Sequence, residues 1–140
     1  MSDFSSYQAE RDCEILTGQF EGLVQTTMKQ RSAIDILELS IPQEDSRLHM
    51  AQLNLNQTER RLHEIERELG SIKEKSGGKF EILKIRFEGL QGVVDVQRSE
   101  HSSLKELLER HRRELALTKW SLKRNENRLQ DIANKLGVSI

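Results

Sequence analysis

The chain has 140 residues, enough for one domain, with 32% charged and 4% aromatic side chains and a single proline; this is the composition of long helices rather than of a compact globule. A net charge of −1 argues against a disordered chain, and the interleaving of Arg and Lys with Glu argues against a nucleic-acid surface. One cysteine, Cys13, excludes an internal disulfide and a cysteine-built zinc site.

Residues 1–12 open the chain as a flexible segment or a fraying helix. From Cys13 a heptad register begins, with position a occupied by Cys13, Phe20, Thr27, Ile34, Ile41, Leu48, Leu55, Leu62 and Leu69. Position d holds Leu16, Leu23, Gln30, Leu37, Glu44, Ala51, Thr58, Ile65 and Ile72. An average spacing of 3.5 residues keeps one stripe facing a partner along a supercoiled helix, so residues 13–75 read as one long helical arm. Pro42 interrupts it at position b, facing away from the stripe. A proline removes a backbone hydrogen bond and crowds the preceding turn. It therefore either kinks the arm or begins a new helix, with Ser40 and Gln43 as a capping box. The second outcome gives three helices, near 5–40, 42–75 and 80–137.

Residues 76–79 read as the turn, because the glycines at 77 and 78 favour a helix stop through their freedom to take positive φ. The second arm, 80–140, repeats the pattern. Its a positions are Phe80, Phe87, Val94, His101, Leu108, Leu115, Leu122, Leu129 and Leu136, and its d positions run from Leu83 and Leu90 to Ile132 and Ser139. The two registers are out of phase across the turn.

In an antiparallel pair, a layers of one helix meet d layers of the other, so partner numbers add to a constant. The constant 152 sets Ile72 against Phe80, Leu55 against Gln97, Thr27 against Asn125, Leu16 against Leu136 and, at the far end, Cys13 against Ser139. It also sets small Ala51 against bulky His101, which would fill the space beside it. The expected fold is all-α: a long antiparallel helical hairpin of coiled-coil type, or the three-helix arrangement if the first arm breaks at Pro42.

Beyond the seam, Ile36 and Met50 fall at position c and Leu39 and Leu53 at f; on the second arm Leu117 is at c and Trp120 at f. A second apolar stripe outside the seam implies further helices packing there, and tryptophan is enriched at interface hot spots. Trp120 has two readings: it closes an intramolecular core around Pro42, or it meets another chain, which its f position favours.

The polar seam residues Gln97, His101, His111 and Asn125 weaken packing but fix register and partner number. A pH switch at His101 and His111 is the sharper reading of the histidines, and register setting the more ordinary one. His49, His63, His101 and His111 offer no i, i+4 pair, so neither a metal nor a cofactor is expected.

Residues 105–128 hold eight Lys/Arg against four Glu; a face complementary to the first arm, where residues 1–45 carry a net −6, explains this better than a membrane or nucleic-acid site. Gly70, Gly77, Gly78, Gly89 and Gly92 make the turn end the looser one.

No catalytic signature occurs, and a narrow hairpin leaves no room for a substrate cavity. No apolar run nears the ~20 residues that span a bilayer, and the first residues lack a signal-peptide layout. The expectation is a non-enzymatic structural or adaptor subunit, intracellular and cytoplasmic with the nucleus open. Its partners would be other α-helices, in a homo-oligomer or in a coiled-coil partner protein. The alternatives are a helical chaperone or client-binding module, and a surface binder acting through residues 105–128.

Overall fold

The computed structural model describes residues 2–73 and 77–138, with side chains from Ser5 onward. Two helices make the fold, α1 (Ser2–Ser71) and α2 (Gly78–Leu136), packed as a helical hairpin with no strand among the described residues. Residues 2–12 belong to α1. The hairpin falls into two compact units, residues 1–40 with 111–140 and residues 41–110; each is described by itself.

Both units are built on the heptad seam. Every a and d side chain described from Leu16 to Leu136 is buried or half-buried, and every b, c and f side chain is exposed. A helix with so regular an apolar stripe is held mainly by burial of that stripe, not by intrinsic propensity. In the first unit the best-buried seam residues are Thr27, Ile34, Leu129 and Ile132, and Ala133, at e, is fully buried beside them. In the second they are Leu55, Leu83, Val94 and Leu108, with the charged Glu44 also buried at d.

The pairing register is visible in cross-helix ion pairs at e positions. Arg31–Glu126 (3.3 Å) and Glu38–Lys119 (3.0 Å) join the helices of the first unit, and Glu59–Arg98 (3.1 Å) those of the second. The numbers in each pair add to 157, the value that e residues take when a and d layers add to 152. A slip of one heptad would change that constant by seven and bring different residues together, so each unit has the expected register.

Three details of the expectation meet the structure. First, α1 is unbroken at Pro42, so the continuous-arm reading holds over the three-helix alternative among the described residues. Ser40 caps nothing: its hydroxyl donates back to the Ile36 carbonyl (2.9 Å), as a serine inside a helix does. Proline's fixed φ is compatible with a helix, and its local cost falls at b, where no seam contact is lost. Second, the connection between the helices starts earlier than the sequence suggested, and α2 takes in Gly78 and Lys79 of the expected turn. α1 ends at Ser71 and α2 already includes Gly78, at which no positive φ is needed. The Glu81 amide donates to the Gly77 carbonyl (3.2 Å), and Glu81 itself suits the positive end of the helix dipole. Residue 76 of the expected turn, like 74 and 75 before it, lies outside the described residues. Third, Cys13 is exposed rather than a seam residue, and its expected partner Ser139 lies outside the described residues.

The far end of α2 closes on glycine. Gly137 has φ +70°, the Val138 amide donates to the Ala133 carbonyl (2.9 Å), and the Gly137 amide donates to the Asn134 carbonyl (3.3 Å). Together these form a Schellman cap, which satisfies carbonyls that the helix end would leave open. No helix among the described residues is long and apolar enough to cross a membrane.

Candidate protein-interaction face

All six apolar residues predicted outside the seam are exposed. In the first unit they are Ile36, Leu39, Leu117 and Trp120, between 63% and 71% exposed. The register places Ile36 level with Ala116, so Ile36 and Leu117, both at c, stand on the same side at nearly the same level; Leu39 and Trp120, at f, point away from the seam on their own helices. The Trp120 ring is exposed, so it fills no core of the first unit, and the guanidinium of Arg124 lies 5.6 Å from the ring centroid in a cation–π contact. In the second unit Met50 and Leu53 are about half exposed.

The two edges of the first unit differ. At the e edge the ion pairs Arg31–Glu126 and Glu38–Lys119 bridge the helices, and Ala133, fully buried at an e position, permits close approach there. At the g edge, around the level of Ala33, the residues are small: Thr26 and Ala33 on α1 and Ser121 on α2. Between them lies an open groove of about 480 Å³, with Leu117 and Lys29 on its lips. Its floor is polar and ordered. The Asn125 side-chain amide donates to the Gln30 side-chain carbonyl (3.1 Å), and the Gln30 amide donates to the Ser121 hydroxyl (2.8 Å). Thr27, the expected partner layer of Asn125, instead donates to the Val24 carbonyl (3.0 Å). Asn125 is thus tied across the seam to Gln30 and, through it, to Ser121. Gln30 was legible at d, but Ser121 entered the network only because a g side chain reaches into the seam.

In the second unit Gln97 and His101 are half-buried at d and a. His101 does not fill the space beside Ala51: it lines a depression with Leu48 and Gln52. A separate groove of about 340 Å³ remains at Ala51, Met50 and Gln97. The Gln97 Oε1 atom is buried there without a hydrogen-bond partner. His111, in the first unit, is half-buried at d, while His49 and His63 are exposed, with His63 Nδ1 3.6 Å from Glu66. No cluster able to hold a metal ion exists among the described residues.

A further apolar set was missed from the sequence. Ile82, Ile85, Val93 and Val96 on α2 are 44–67% exposed. Three of them occupy c and f positions, so the spacing that exposed Leu117 and Trp120 also identifies them. The chain matches no protein-family model, no curated protein and no solved structure.

Proposed function

We propose that this protein is a non-enzymatic assembly subunit of scaffold or adaptor type, a helical hairpin that joins other α-helices through the outer surface of its first unit. The carrying observation is the contrast between the unit's edges. One is bridged by ion pairs. The other presents Ile36 and Leu117 at 64% and 66% exposure beside a groove floored by small residues. Small floor residues let a helix backbone approach closely, and apolar lips supply the area whose burial drives association. A cytoplasmic or nuclear location fits this reading.

The test is in-cell photo-crosslinking with a probe at Leu117, at Trp120 or at the exposed polar control Asn127. A discrete protein adduct at 117 or 120 and none at 127 supports the reading; no adduct at either apolar position refutes it.

A client-binding role is the second reading, favoured by the exposed Ile82, Ile85 and Val96. It predicts that the purified chain suppresses aggregation of an unrelated unfolding protein, and that Ile85→Ser reduces the effect.

A further inference from the structure

Charge on the two sides of the first unit identifies the kind of helix that fits. Residues 15–40 and 112–137 lie at the same levels of the paired helices, because their limits add to 152. At their b and e positions stand four bases (Arg31, Arg112, Lys119, Lys123) and four acids (Glu21, Asp35, Glu38, Glu126), a net of zero. That side is electrically balanced, and two of its pairs are joined within the chain.

At the c and g positions of the same residues stand four bases (Lys29, Arg124, Arg128, Lys135) and two acids (Glu114, Asp131), a net of +2. No ion pair forms with Arg124 or Arg128 among the described residues. This is also the side with the groove and with the exposed Ile36 and Leu117, whereas Arg113, Leu39 and Trp120, at f, point straight away from the seam.

We infer that the g edge of the first unit docks an amphipathic helix of another protein, one whose apolar stripe is flanked by Asp and Glu. The inference rests on the assembly reading above and adds the chemistry of the partner. Complementary charge steers association and rejects like-charged partners more than it adds raw affinity, and here it decides among occupants. A second copy presenting the same edge across a two-fold axis would set +2 against +2, so self-association through this face is disfavoured. A flat lipid surface would match the charge but leave the small-residue floor at Ala33 and Ser121 unfilled, whereas the ridge of a helix fits a groove between two others.

Trp120 is the chain's single tryptophan and, one turn from Leu117 and with the Arg124 guanidinium 5.6 Å from its ring, reports on the flank of the site. The probes are two designed helical peptides with the same leucine stripe, one flanked by Glu and the other by Lys, and vesicles of phosphatidylcholine with phosphatidylserine. The Glu-flanked peptide should shift Trp120 emission to the blue and bind at least roughly tenfold tighter than the Lys-flanked one, with affinity falling as salt rises.

Arg124→Glu with Arg128→Glu should narrow or reverse that preference, and Leu117→Ser should weaken both peptides. All three positions are exposed, so helicity by circular dichroism should be unchanged. Equal affinity for the two peptides, no binding of either, or a Trp120 shift with vesicles alone overturns the inference. A crosslink at 117 or 120 in cells, combined with no preference for the acidic peptide, would sink the acidic partner and leave the assembly reading standing.

Discussion

Replacing Gln97 by methionine should make the protein more stable. Gln97 occupies a d position level with Leu55, which is 7% exposed, and its Oε1 atom is buried without a hydrogen-bond partner. A buried acceptor left unsatisfied costs about 1–3 kcal/mol. Methionine has the same length and nearly the same helix propensity, so the substitution removes the orphan without altering the backbone. The added apolar burial is small because Gln97 is only half-buried; about 0.5 kcal/mol is a fair allowance. The expected gain is about 2 kcal/mol. With an m-value of about 2 kcal/mol per molar urea for a chain of this size, the unfolding midpoint should rise by about 1 M. The assay is urea unfolding followed by circular dichroism at 222 nm, at one protein concentration so that any association is held constant. Gln97→Glu should move the midpoint the other way, because it places a charge where a neutral acceptor is already unsatisfied. A midpoint unchanged or lowered by methionine would refute the reasoning. It would mean that Oε1 is solvated through the groove at Ala51.

The chain from Asn125 through Gln30 to Ser121 makes the opposite prediction. Gln30→Leu should cost about 1–3 kcal/mol in urea unfolding, because it strands the Asn125 amide, whereas Gln30→Leu with Asn125→Leu should recover most of the loss and show a coupling above about 1 kcal/mol. Pro42→Ala should raise stability by up to ~3 kcal/mol, read as an increase in melting temperature, since it restores an amide donor toward the Glu38 carbonyl at an exposed position. Gly137→Ala should cost about 1 kcal/mol and speed amide exchange at Val138, because alanine resists the φ of +70° that the α2 cap requires.

The paired helices and their register were legible in the residues because both are encoded by local spacing. A 3.5-residue repeat states which side chains must face a partner, and two such repeats separated by a short glycine-containing stretch can pair in few ways. Leu108 and Val94 are the best-buried large side chains, and both were readable as a positions without any coordinates. The outward positions of Leu117 and Trp120 were readable by the same logic.

What the repeat does not encode is the balance between a local cost and the seam that carries it. Ser40 and Gln43 resemble a helix start, yet α1 runs through Pro42: the hydroxyl of Ser40 turns back to Ile36, and the apolar residues on either side stay in the seam. Nor does a one-dimensional pattern say which cross-helix side chains meet. That Arg31 and Glu38 find partners at the e edge while Arg113 and Arg124 find no ion pair, and that Gln30 reaches Ser121, depends on how two surfaces face each other in space. The heptads therefore specify the seam, whereas the open edge exists only once the two helices are side by side.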